Sequence, residues 1–134
     1  MYLMKELKDN QRCYVCGKEN PAGLQVAFEI DKNARTIIGR FTPKQEHEGW
    51  EGIVHGGVIA ALLDEAMVKL AAHLGIPAVS AEITVKFKSP AAAADILTIS
   101  GRITKEGRRL IEAEATVTTG MVIVAKAKGK LLRI

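Results

Sequence analysis

Apolar residues fall at alternate positions in the first clear run, where Leu24, Val26, Phe28 and Ile30 are separated by Gln25, Ala27 and Glu29. That period of two predicts a strand with one buried face. Asp31, Lys32 and Asn33 predict a turn, residues 36–41 a return strand, and Pro43 its end. Residues 44–54 mix polarities and carry two glycines, which predicts a loop. A long helix is predicted over residues 56–74, stopped by Gly75 and barred from continuing by Pro77. Four more strands follow. The first alternates cleanly, placing Val79, Ala81, Ile83, Val85 and Phe87 on one face and Ser80, Glu82, Thr84, Lys86 and Lys88 on the other. Residues 96–104, 110–118 and 121–132 form the rest, with turns at 106–107 and 119–120. Residues 1–23 read as irregular, with a short helical turn near 4–10 and a turn at Asn20-Pro21-Ala22-Gly23.

The helix decides the fold class. Glu65, Lys69 and His73 make one narrow polar stripe, in which Glu65 stands N-terminal to Lys69 for a favourable pair. Nearly every other position is apolar, and a helix apolar over most of its circumference is a buried helix. Only strands are available to bury it. The expected architecture is α+β, a curled antiparallel sheet of about six strands wrapped around one long central helix, which is the hot-dog fold.

Composition narrows the function classes. The chain has 134 residues, 48% of them hydrophobic, and reads as a single domain over 1–134. Mixed charge and high apolar content exclude disorder. No apolar run approaches the roughly 18–20 residues a membrane helix needs, and residues 1–10 lack the apolar core of a secretory leader, so a cytoplasmic location is expected. The net charge of +4 suits a polyanionic small molecule. Aromatic residues, at 4%, are too few for the stacking platforms of a single-strand nucleic-acid binder. Neither nucleic acid nor membrane is an expected partner.

Two features carry candidate chemistry. Asp64 is surrounded one helical turn away by Ala60, Ala61, Met67 and Val68. A carboxylate in such a setting is either paired or functional, unless it reaches water at the rim of the polar stripe. His55-Gly56-Gly57 opens the same helix with no Ser, Thr, Asp or Asn to cap it. Free N–H groups at that end, approached closely through glycines, can stabilise a developing oxyanion; a glycine corner without function is the plainer alternative.

The string His55-Gly56-Gly57-Val58-Ile59-Ala60-Ala61-Leu62-Leu63-Asp64 resembles the signature of hot-dog acyl-CoA thioesterases of the phenylacetate-pathway (PaaI-like) group: His-Gly-Gly, then an acidic residue nine positions after the His. The strand at 79–87, followed by Ser89-Pro90-Ala91, resembles the strand after that family's central helix. The resemblance covers roughly residues 24–130. It implies hydrolysis of an acyl-CoA to a carboxylic acid and CoA, with no metal or organic cofactor. Asp64 would be the catalytic base or nucleophile, the Gly57 N–H the oxyanion donor, and His55 a positioning group. Ser80 would orient the attacking water. Where some relatives carry Asn six residues before the His, this chain has Gly49, which leaves that contact to His47 or Glu48. Val54, Gly56, His47 and Trp50 are the candidates for the substrate pocket, with Met67 as a further lining residue. Lys86, Lys88, Arg108 and Arg109 are candidate partners for the CoA phosphates, although each taken singly is better read as a solvated strand end.

Gly57 and Asp64 are seven residues apart, about 10.5 Å along a helix, too far to act on one carbonyl from one chain. Two antiparallel helices could unite them, and the resemblance implies the same: a site at a homodimer interface, with dimers often paired into a homotetramer. Cys13-Tyr14-Val15-Cys16-Gly17 has the spacing of half a zinc site, but no second cysteine pair exists. Structural packing is therefore favoured over a metal or redox role. Two other readings of the chain remain open, a non-catalytic acyl-CoA binding protein and a hot-dog hydratase or dehydratase.

Overall fold

The computed structural model describes residues 6–134. Six strands and one long helix follow in the order β1 (Phe28–Asp31), β2 (Thr36–Phe41), α1 (Gly56–His73), β3 (Ala78–Phe87), β4 (Leu97–Glu106), β5 (Leu110–Thr119) and β6 (Val122–Arg133). All pairings are antiparallel, in one sheet of spatial order β1-β2-β4-β5-β6-β3. The sheet wraps α1, as the apolar circumference of the helix demands. Leu62, Leu63, Ala66, Met67 and Leu70 of α1 are fully buried against Ile99, Ile111, Val117 and Leu131. Gly129 of β6 is part of that fit, since a Cβ there would lie 2.8 Å from the end of the Met67 side chain. Met67 is thus a core residue and lines no pocket.

The helix stops as its sequence requires. Gly75 has φ +79°, its N–H reaches the Ala72 carbonyl at 3.1 Å, and the Ile76 N–H reaches that of Ala71 at 2.9 Å. These two bonds satisfy carbonyls that the helix leaves open, and buried Ile76 completes the cap.

Three local expectations change. The strand expected from Leu24 begins only at Phe28, because Leu24 and Val26 spend their N–H groups on the carbonyls of Tyr14 and Val15, both at 2.8 Å. The alternating burial survives, since Leu24 and Val26 are buried, but the partner is the cysteine-bearing segment and not the sheet. Residues 6–10, the described part of the expected helical turn, have no helical structure; the rest of that turn lies outside the described residues. Finally, β3 carries a register shift between Ser80 and Glu82. One extra residue reverses the side-chain phase. Ala78 and Ser80 therefore share the inner face with Ile83 and Val85, whereas strict alternation would have put Ser80 outside.

Candidate functional site

One face of α1 is not covered by the sheet. Along it run Gly57, Ala60, Ala61, Asp64, Val68 and Ala72, all half-buried or exposed. Strand β3 lies beside this face in the opposite direction, so Ser80 meets Asp64 at one end and Phe87 meets Gly56 at the other. The Ser80 hydroxyl donates to Asp64 Oδ1. That contact exists because the bulge turns Ser80 inward. A carboxylate oriented by a hydroxyl and open to solvent can take a proton from water or attack a carbonyl itself.

The helix N-terminus differs from expectation. It is capped, by His55, whose ring Nδ1 accepts the Gly57 N–H at 2.8 Å. A neutral imidazole nitrogen is as good an acceptor here as a Ser or Asp oxygen, so the absence of those residues did not leave the end bare. The Gly56 N–H has no acceptor among the described residues. Around it, Trp50, Ile53 and Val54 border a recess of about 470 Å³, and Ile53, Phe87 and Ser89 border a second of about 340 Å³. Trp50 is 84% exposed and Val54 is buried. Gly49 lies against the His55 ring, with 3.3 Å from its would-be Cβ to Cδ2, so the chain passes where a side chain would crowd the cap. His47 is used otherwise: its Nδ1 accepts from the Lys44 N–H at 2.9 Å and its ring packs edge-on to Phe41. It staples its loop.

The basic candidates are not brought together. Lys86 and Lys88 share a groove of about 330 Å³ on the outer face of the sheet with Lys126 and Lys128. Arg108 and Arg109 sit at the β4–β5 turn, tied to Arg133 by their carbonyls. Arg133 pairs with Ala78, so the two arginines lie at the opposite end of β3 from Lys86, about 26 Å away along the strand.

A second cluster forms at the next residue of the helix. Glu65 does not form the expected ion pair with Lys69. Its Oε2 accepts from the Cys13 thiol, and Cys16 stands beside it. Burial, followed by the Glu65 carboxylate, pushes the Cys16 thiol up to about 12, with the Lys69 ammonium pulling the other way. Both cysteines are free and half-buried. No local pattern pointed to the third member, because fifty-two residues separate Cys13 from Glu65.

Comparison with known proteins follows the same lines. Residues 51–124 match the sequence model of the thioesterase superfamily. Acyl-coenzyme A thioesterase 13 of Homo sapiens is 30% identical over 98 residues, which are 72% of this chain and 66% of that relative. The same protein of Mus musculus matches at 30% over an equal span. Among solved structures, the E. coli PaaI protein from the phenylacetic acid degradation operon superposes with a TM-score of 0.76 at 23% identity, covering 83% of this chain and 80% of that one. A Streptococcus mutans protein bound to acetyl CoA gives 0.75 at 23%, covering 81% and 86%. These likenesses establish the hot-dog fold.

Proposed function

The chain belongs to the thioesterase superfamily, and from that premise we propose that it hydrolyses acyl-CoA thioesters at a site shared between two protomers. The observation that carries the reading is the open face of α1, where the Asp64 carboxylate, held by Ser80, and the Gly57 N–H stand seven residues apart. That spacing, about 10.5 Å, prevents one chain from placing both on one carbonyl. A two-fold axis near Ala60 and Ala61, midway between them, sets the Gly57 N–H of one protomer beside the Asp64 carboxylate of its partner. Alanine on that stretch permits close helix packing. Strand β3 supports the same axis, since among the described residues it pairs only with β6 and leaves its other edge open. Unpaired strand edges are strong association sites.

The chemistry then follows. The thioester carbonyl oxygen replaces the His55 ring as acceptor of the Gly57 N–H, and the helix N-terminus stabilises the negative charge that develops. Asp64 takes a proton from water as the water oxygen bonds to the carbonyl carbon. Collapse of the tetrahedral intermediate breaks the C–S bond and the Asp64 carboxyl returns its proton to the departing sulfur, leaving a carboxylic acid and CoA. If Asp64 attacks directly, an anhydride forms first and water cleaves it, with the same products. The reaction needs only these groups. Acyl-coenzyme A thioesterase activity named for relatives and the acetyl CoA bound to a structural neighbour support this substrate class.

The test is hydrolysis of aromatic, short-chain and long-chain acyl-CoAs by wild type and Asp64→Asn, followed by mass spectrometry. Asp64→Asn is expected to lose about 100-fold or more, roughly 2.7 kcal/mol of transition-state stabilisation. Wild type that binds CoA esters but cleaves none would make this a binding protein, and hydration of crotonyl-CoA would make it a hydratase.

A further inference from the structure

We propose that Cys13, Cys16 and Glu65 form a binding site for one zinc-class divalent cation, a site independent of acyl-CoA turnover. The two thiol sulfurs and a Glu65 carboxylate oxygen all lie within 4.8 Å of one another. Tetrahedral bonds of roughly 2.0–2.3 Å set neighbouring donors about 3.5–3.8 Å apart, so small side-chain rotations close the set around an ion.

The turn that carries the thiols is built for this. The Gly17 N–H closes on the Cys13 carbonyl at 2.9 Å, and the Cys16 N–H points to Cys13 Sγ at 3.4 Å. A Cβ at Gly17 would stand 2.4 Å from the Cys13 nitrogen, so only glycine lets the chain turn this tightly and present both sulfurs on one side. A backbone N–H aimed at a sulfur stabilises it as a thiolate, the form in which it binds metal. The segment is anchored behind the turn by buried Val15, Leu24 and Val26, with the Val26 N–H donating to the Val15 carbonyl and the Leu24 N–H to that of Tyr14. The third donor comes from α1, so the site joins two parts of the chain that share no strand pairing.

Donor chemistry selects the ion. Two soft thiolates with one carboxylate favour zinc and its analogues over magnesium or calcium, which prefer all-oxygen shells. Three anionic ligands on a divalent ion leave one negative charge, and the Lys69 ammonium beside Cys16 is placed to balance it. The two thiol protons leave to solvent as the ion binds. A fourth coordination position opens toward the groove of about 490 Å³ bordered by Val68, Lys69, Ala72 and Pro77, where water or a small ligand can complete the tetrahedron. This ion would clamp the N-terminal segment to the helix one residue from Asp64.

The experiment adds Co²⁺ to reduced, metal-stripped full-length protein and follows sulfur-to-cobalt charge-transfer absorption. One Co²⁺ per chain, displaced by Zn²⁺, is expected. Cys16→Ser should cut the absorption by about half or more, the double variant Cys13→Ser with Cys16→Ser should abolish it, and Glu65→Gln should keep the sulfur band while weakening binding by about tenfold or more. Circular dichroism checks that each variant is folded. Failure of folded, reduced wild type to bind one Co²⁺, or equal affinity in Glu65→Gln, would overturn the site. Wild type and Glu65→Gln decide it even if the cysteine variants do not fold, and neither result bears on hydrolysis.

Discussion

Ser80 meets Asp64 across sixteen residues because of a single inserted position in β3. The motif at 55–64 made Asp64, Gly57 and His55 legible as a group, since their spacing is fixed by the helix itself. The orientation of Ser80 was not legible, because alternation along 79–88 gives no signal of a bulge and assigns that side chain to the wrong face. His55 was legible as a motif member but not as a cap, because capping preference is carried by oxygen-bearing side chains and the ring does the same work from a different atom. That role has a measurable consequence. His55→Ala should lower stability by about 1 kcal/mol, the usual scale for a lost N-cap, whereas His55→Asn should retain most of it. Thermal denaturation reads the difference as roughly 4 °C for a domain of this size. Loss of less than a degree in the alanine variant would show that the helix end does not depend on the ring.

At the scale of elements, hydrophobic periodicity placed α1, β2 and the four later strands to within about two residues, because each buries a full face against the same core. It failed at 24–27, where the same alternation is satisfied by a non-sheet partner. Charge ties the far ends of these elements. Glu106, at the end of β4, accepts from Arg35 at 2.5 Å and from Arg133 at 3.2 Å, joining the β1–β2 turn to the end of β6. The Arg35 and Arg133 hydrogen bonds hold its carboxyl below the ordinary glutamate value of 4.5. A group depressed in the folded state stabilises fully above its unfolded value, and that contribution is lost as pH falls through the folded one. Wild type should therefore melt above Glu106→Gln at neutral pH, and the gap should close below about pH 4.5. The effect is small and weakened by salt, since all three side chains are partly exposed. A gap that widens on acidification would contradict the assignment.

For the whole molecule, the open face of α1 and the free edge of β3 are one surface, and the catalytic proposal stands on its being covered by a second copy. The apolar positions of the helix suggested burial over most of its circumference; the sheet encloses only part of it and leaves the stripe from Gly57 to Ala72 half-buried or exposed. Ala60→Glu tests this directly, because Ala60 lies midway between the proposed donor and base yet outside the core contacts. The variant should stay folded by circular dichroism, sediment as a monomer, and lose hydrolysis. An active monomer in sedimentation run at assay concentration would defeat the shared site.

Strand order has a further consequence, one of timing. β3 follows the helix directly, yet its one partner among the described residues is β6, so the pair cannot form until residues 122–133 have been synthesised. During translation β3 emerges with both edges unpaired, and the helix that it must help enclose waits with it. Such late, long-range closure slows folding and prolongs exposure of sticky backbone. The lysines at 86 and 88, and those alternating at 126, 128 and 130 on the edge that β6 presents once it has paired with β5, are then expected to matter beyond any ligand, as charges that keep these edges soluble until they meet.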